Sequence, residues 1–297
     1  MLRLGVIGLS KGNGHPYSWS AICNGYNHSQ MLSCGFDVIP QYLSERQWPE
    51  ARLSGVEVTH VWTQSRGISK NISQASLIPN IVSDPSEMLD SIDGLLLARD
   101  DAENHYEFAK PFIEHGVPVY IDKPIALDVD ALNALYSLQR YEGQIFTCSA
   151  LRYADELSVE SLDLSKVGVI KSVTAETPKS WRKYAVHVIE PVMQLLGSRV
   201  EGLKFASCVK GSHMGATVIL KDQEDLVVKL IAKGEHTATP IVITVVGDLG
   251  SQSLTFSNPF NAFKSALGAF IEGISTNECK SPYDFNQRVV SIIEMGM

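Results

Sequence analysis

The chain has 297 residues, of which 44% are hydrophobic and 20% charged, ordinary globular usage that excludes a disordered or collagen-like chain. At roughly 100–200 residues per domain the length points to two domains, with a core that needs no staples. Twenty-five Lys plus Arg against 33 Asp plus Glu give a formal charge of −8. A net acidic surface repels phosphate backbones, so neither nucleic acid nor an anionic membrane is the expected partner.

Leu2 to Leu9 reads as a strand ending in glycine, and Tyr17 to Asn24 as the helix after it. The segment from Asn24 to Gly55 is long for a connection; it carries an extra helix (Gln41 to Leu53) or forms part of a ligand or subunit surface. Val56 to Thr63 is a β-branched strand. Ile92 to Ala98 is a nearly continuous apolar run, as expected of a parallel strand covered on both faces, and Val117 to Ile121 follows the same style. Between them Asp101 caps a helix with Phe108, Ala109, Phe112 and Ile113 on one face. Pro111 should kink that helix and Gly116 end it. A further helix starts after Asp128, with Leu132, Leu135 and Tyr136 facing inward.

From about residue 145 strands dominate: Ile145 to Ala150, Val169 to Glu176, Gly202 to Val209, Ala216 to Leu220, Leu226 to Ala232 and Ile241 to Val246. One helix, Lys183 to Leu196, interrupts them, and one or two close the chain after Pro259. The expected fold is therefore α/β: a doubly wound parallel sheet in residues 1–125, then an α+β domain with a large, open, mostly antiparallel sheet in residues 126–297. The boundary falls near Pro124 to Asp128. The run at the N-terminus is too short for a signal peptide and no stretch is long enough to span a bilayer. Cys23, Cys34, Cys148, Cys208 and Cys279 lack CxxC spacing and read as reduced thiols of a cytoplasmic protein, with no metal site.

Two stretches carry chemistry. Gly8-Leu9-Ser10-Lys11-Gly12-Asn13-Gly14-His15 joins the first strand to the first helix, where glycines let a backbone approach a pyrophosphate and free its N–H groups to bind it. Ser10 stands where a GxGxxG loop has its second glycine, and the loop is lengthened. His15 either approaches a phosphate or the nicotinamide, or caps the turn. The other stretch runs from Asp93 to Ala126, with Arg99, Asp100, His105, Ala109, Gly116, Val119 and Asp122-Lys123-Pro124-Ile125-Ala126. It resembles the Gfo/Idh/MocA family of NAD(P)-dependent oxidoreductases, whose members show a strand, a polar turn, H-x-x-x-A in a helix, G-x-x-V, and E-K-P-x-A. Asp122 for Glu is a mild departure.

The resemblance spans nearly the whole chain. It implies a Rossmann domain, a cis Lys123–Pro124 peptide and a cofactor site made from Gly8, Ser10, Gly12, Asn13, His15, Thr63, Ser65, Arg66, Arg99, Asp100, His105, Asp122 and Pro124. A lysine at the carboxyl end of a parallel strand points into the ligand crevice, and its ammonium can stabilise charge on a reacting oxygen. Lys123 is thus a catalytic candidate. Ser149-Ala150-Leu151-Arg152-Tyr153 resembles the family's strand ending in Arg-Tyr, with Arg152 facing the cleft or held in a structural ion pair. Trp181 to Glu190 resembles the family's D-x-x-x-H-x-x-D helix. His187 matches the histidine, a general acid/base, and Glu190 the later acid. Lys183 stands where the aspartate is expected and would attract an anionic group. Trp181, Arg182, Lys183 and Tyr184 would wall the substrate pocket, with Glu190 and Arg152 beside them.

The implied reaction is hydride transfer between nicotinamide and a sugar, polyol or sugar-nucleotide carbon, with the ammonium and the imidazole converging on it. Other readings of the same fold are a non-catalytic dinucleotide sensor and an NAD-dependent glycoside hydrolase. Thr63-Gln64-Ser65-Arg66 carries no acid for a ribose 2′-OH, which tilts the cofactor to NADP; were Met31 to Phe36 the second strand, Asp37 would tilt it back to NAD. A homodimer or homotetramer through the C-terminal sheet is implied by the resemblance. The chain stops soon after the helix Asp284 to Met295, either as a short member or with a trimmed tail.

Overall fold

A six-stranded parallel sheet forms the base of the N-terminal part in a computed structural model that describes Met1–Met297. Its strands are β1 (Leu2–Ile7), β2 (Val56–Trp62), β3 (Asn80–Ile81), β4 (Gly94–Leu97), β5 (Val119–Ile121) and β6 (Ile145–Phe146), in the order β3-β2-β1-β4-β5-β6. All its pairings are parallel. Leu4, Val6, Ile7, Leu95, Leu96, Leu97, Val119 and Ile121 are fully buried, the outcome of helices covering both faces. The strand order turns back between β1 and β4, and such a switch point opens a crevice at the carboxyl ends of those strands.

Helices α1 (His15–Asn24), α2 (His28–Met31), α3 (Val38–Ser44), α4 (Arg66–Ala75), α5 (His105–His115) and α6 (Val129–Tyr136) connect the strands. The long segment after α1 holds α2 and α3 in place of the expected helix at 41–53. Met31 to Phe36 is not a strand, so β2 is the second strand. Phe36 and Ile39 press on Gly14, where a Cβ would lie 2.5 Å from Ile39 Cδ1, and the Leu53 N–H donates to the Ile22 carbonyl at 3.0 Å. The segment is therefore packed onto the glycine loop and α1. Asp101 does not cap α5: its carboxylate holds Arg99 and Asn104, and a short 3-10 turn precedes the helix. The helix runs on through Pro111 and stops at left-handed Gly116 (φ 90°).

The second sheet has β7 (Ile170–Thr177), β8 (Lys204–Lys210), β9 (Ala216–Lys221), β10 (Val227–Ala232), β11 (Val242–Gly247) and β12 (Ser251–Thr255), in the order β12-β11-β7-β10-β9-β8. Only β7 and β10 run parallel. Alternate residues such as Val173, Ala175, Val218, Val228, Leu230, Ile243 and Val245 are buried, the period of two that a one-sided sheet requires. Helices α7 (Leu164–Val167), α8 (Trp181–Tyr184), α9 (Val186–Leu196), α10 (Pro259–Thr276) and α11 (Tyr283–Met295) complete the chain. The expected helix at 183–196 is two, α8 and α9, and α9 packs on β7 and β10. No helix is long and apolar enough to cross a membrane.

The chain divides into two units, but not at one boundary. The first is Met1–Ala126 with Asp130–Cys148 and Ala266–Tyr283; the second is Leu127–Val129 with Ser149–Ser265 and Asp284–Met297. The single break at 125/126 is corrected for two reasons. Ile145 and Phe146 form β6, which pairs with β5 in the parallel sheet rather than opening the second one. The later part of α10 brings Phe270 against Tyr120 and Phe146, with ring centroids 5.6 and 5.7 Å apart.

Candidate active site

In the first unit, the carboxyl ends of β1, β4 and β5 carry a dense polar cluster. Gly8 ends β1 where any Cβ would sit 2.4 Å from Pro16 Cγ, so α1 can start this close only after glycine. The loop then exposes Lys11 and Gly12. Gly12 has φ +84° and open space around its Cβ position. The main-chain N–H groups of Ser10, Lys11 and Gly12 are not engaged in internal hydrogen bonds. Gln64 clamps the peptide groups of Leu9, donating to its carbonyl at 2.7 Å and accepting from its N–H at 3.1 Å. Arg99 reaches the same carbonyl, grips Asp101 and lies 4.7 Å over the Phe108 ring.

Behind the loop, Ser10 Oγ donates to Asp100 Oδ1 at 2.6 Å and accepts from the Asp100 N–H. Lys123 Nζ lies 4.0 Å from Asp100 Oδ2, both side chains 8% exposed. The Lys123–Pro124 peptide is cis. Asp122 is fully buried. Its Oδ2 accepts from Asn13 at 2.6 Å and lies 2.6 Å from His15 Nδ1, while Oδ1 accepts from the Lys123 N–H at 2.7 Å. Burial pushes the Asp122 carboxyl up, but the charges of His15 and Lys123 and the hydrogen bonds from His15 and Asn13 outweigh it and hold the group well below the usual carboxylate range. The His15 ring stacks on Trp19, which stacks on Tyr120.

The second unit has its own polar cluster at the start of α9. His187 Nδ1 lies 2.8 Å from Ser149 Oγ, and the Tyr184 ring stands edge-on to the imidazole at 5.1 Å. The Ser149 N–H donates to Glu190 Oε1 at 2.8 Å. Arg152 Nε is 3.7 Å from Glu190 Oε2, and its guanidinium lies over Phe285 and Tyr153. Burial raises the Glu190 carboxyl to about 7, against the opposing pull of Arg152 and the Ser149 N–H. Its Oε2 is buried without a hydrogen bond.

That shift has a testable consequence. The folded pKa lies above the ordinary 4.5, so this carboxyl stabilises the fold below about pH 4.5 and loses that contribution as pH rises through 7. Glu190→Gln keeps an acceptor for the Ser149 N–H and cannot ionise. Thermal melts should show it more stable than the parent by about 2–3 kcal/mol at pH 8, with little difference at pH 4. Equal gains at both pH values would show that ionisation is not the cause.

Residues 2–149 match the model of the Gfo/Idh/MocA oxidoreductase family, an NAD-binding Rossmann fold. Through this half the chain belongs to that family. No curated protein matches it in sequence. Among solved structures it is similar to a protein of Sinorhizobium meliloti 1021 provisionally assigned as a myo-inositol dehydrogenase, at 12% identity and TM-score 0.74, over 100% of this chain and 96% of that one. It is also similar to the scyllo-inositol dehydrogenase of Lactobacillus casei with bound NAD(H) and scyllo-inositol, at 11% identity and TM-score 0.69, covering 99% and 96%. A myo-inositol dehydrogenase of Corynebacterium glutamicum ATCC 13032 aligns at 12% identity and TM-score 0.69, covering 99% and 94%. At these identities the likeness is one of fold.

Several of the family positions named from the sequence lie close together within each unit. Gly8, Ser10, Gly12, Asn13, His15, Arg99, Asp100, Lys123 and Pro124 lie together in the first, and Arg152, Tyr184 and His187 in the second. Five need correction. Thr63 is buried, its N–H given to Ser69 and its hydroxyl to the Ser65 carbonyl, so it shapes the start of α4 rather than facing a ligand. His105 is fully buried, its ring nitrogens 2.9 and 2.7 Å from the Ile125 and Arg99 carbonyls; it ties two loops together. Asp122 is fully buried, its carboxylate engaged by Asn13, His15 and the Lys123 N–H rather than facing a ligand. Trp181 is 2% exposed and its indole N–H donates to the Ile293 carbonyl at 2.8 Å, so it is core and not pocket wall. Glu190 is 3% exposed and braces Ser149 and Arg152 from behind. Arg66 is exposed, 3.4 Å from Ser83 Oγ, Ser65 is half-buried, Arg182 is exposed and Lys183 half-buried. The pairings of Gln64 with Leu9 and of Ser149 with His187 are not legible in the sequence, since no local pattern marks a side chain whose partner is 55 or 38 residues away.

Proposed function

We propose that the chain is an NAD(P)-dependent dehydrogenase or reductase that exchanges a hydride with the carbinol or carbonyl carbon of a sugar, polyol or sugar nucleotide. The observation that carries this reading is the buried Lys123 ammonium, held by Asp100 at the carboxyl end of the parallel sheet beside a glycine loop. The residues present fit the dinucleotide. Three successive unengaged N–H groups, at Ser10, Lys11 and Gly12, make a cradle for a pyrophosphate, and the open space at Gly12 leaves room for it. At the end of β2 there is no acid, and the exposed Arg66 suits a ribose 2′-phosphate, which favours NADP.

The bound nicotinamide supplies or accepts the hydride. Lys123 polarises the reacting oxygen, a donor fixed in place before charge develops there. His187, in the second unit, is the general acid/base candidate. Asp100 and Ser10 orient the ammonium, and Asp122 with Asn13 fixes the loop. Arg182 and Lys183 add positive charge that favours a substrate bearing phosphate, carboxylate or diphosphate. The polyol class draws support from the fold neighbour that binds scyllo-inositol.

Fluorescence titration with NAD, NADH, NADP and NADPH, then a polyol, sugar and sugar-nucleotide panel followed at the nicotinamide absorbance, tests the reading. NADPH should bind more tightly than NADH, and Arg66→Ala should weaken NADPH by roughly tenfold, one charge-assisted contact, while leaving NADH unchanged. Dinucleotide binding with no redox turnover of any substrate would instead make the protein a sensor.

A further inference from the structure

The family helix motif places an acid four residues before its histidine, and this chain has Lys183 there. The imidazole nonetheless has a partner on Nδ1, from a distant part of the chain. Ser149 is fully buried. Its Oγ accepts from the Leu151 N–H at 3.3 Å and lies 2.8 Å from His187 Nδ1. Nδ1 is the one acceptor that the hydroxyl hydrogen reaches. Ser149 is itself fixed from behind, its N–H on Glu190 Oε1, with Arg152 against the other carboxylate oxygen.

We propose that Ser149 is the positioning residue of His187: its hydroxyl donates to Nδ1, aims the ring, and keeps the proton of the neutral imidazole on Nε2. A buried hydroxyl hydrogen needs an acceptor, and turning it away from Nδ1 would leave it none. A carboxylate in the same place could only accept, so it would force the proton onto Nδ1 and favour the charged ring. The chain has exchanged a charged partner for a neutral, donating one. With the proton on Nε2, that nitrogen is the one able to donate to a ligand oxygen. The Tyr184 ring stands edge-on to the imidazole, and Glu190 and Arg152 lie behind Ser149.

The tautomer assignment stands on geometry alone; its role in turnover rests on the dehydrogenase reading, and the experiment separates the two. Ring 15N NMR of the full chain, with the signals assigned by their loss in His187→Asn, should show a protonated Nε2 and bare Nδ1. Ser149→Ala, which keeps the main-chain bond to Glu190, should give mixed tautomers. It should lower kcat about tenfold or more with little change in KM and in cofactor affinity, and Ser149→Thr should restore most of the rate. Ser149→Asp should move the proton to Nδ1 and shift the His187 limb of the pH–rate profile upward by about one unit. A protonated Nδ1 in the parent protein, or the same tautomer and rate in Ser149→Ala, overturns the proposal. The expected NMR result in a protein that turns over nothing on the panel upholds the positioning and sinks the dehydrogenase reading instead.

Discussion

Lys123→Ala should cost at least about 10²–10³ in kcat, the loss seen when a fixed donor to a developing oxyanion is removed, while cofactor affinity changes by no more than a few-fold. The side chain is 8% exposed, with the Asp100 carboxylate at 4.0 Å and the charge of the buried Asp122 acting on it as well. Asp100 keeps its bond from Ser10 without it, and the N–H groups of Ser10, Lys11 and Gly12 belong to the main chain. The binding cradle should therefore survive the loss of the ammonium. Absorbance at the nicotinamide band gives kcat, and fluorescence quenching gives the dissociation constant. Turnover within a factor of a few of the parent removes Lys123 from the mechanism. Loss of binding along with turnover would make it a structural cation of the loop.

Trp181→Ala should be the most damaging single change to stability, by about 3–5 kcal/mol. The ring is buried between α8 and the end of α11, so close that a Cβ at Gly296 would overlap it. The truncation also leaves the Ile293 carbonyl without its indole donor. Chemical denaturation should show the midpoint fall with little change in slope, unless the second unit unfolds by itself. A variant of full stability but altered substrate preference would restore Trp181 to the pocket wall where the helix motif puts it.

Trp181 also shows what local sequence can and cannot carry. Its place next to Arg182, Lys183 and Tyr184 suggests one polar wall, yet Trp181 is buried and Arg182 exposed, since successive residues of a helix fall on different faces. The parallel sheet was legible because strands buried on both faces are continuous apolar runs, and β1, β4 and β5 could hardly be read otherwise. The two-residue β3 and the short β6 leave no such run. β6 was therefore assigned to the wrong sheet, and the domain boundary with it. The glycine loop and Asp122-Lys123-Pro124 stood out because backbone approach and a cis peptide demand particular residues. Pairings such as His15 with Asp122 or Ser149 with His187 depend on how distant segments meet, which no spacing records. Asp101 had the chemistry of a cap, but a stronger partner, Arg99, took its carboxylate.

Hydride exchange at a substrate carbon can be read by isotope transfer. With reduced nicotinamide cofactor carrying deuterium on one face of C4 and an oxidised polyol or sugar as acceptor, mass spectrometry of the product reads the label. One deuterium should appear on the newly formed carbinol carbon, from one face only, and none in Lys123→Ala over the same time. Product that forms without label, or a cofactor that binds and keeps its deuterium with every acceptor, would contradict it.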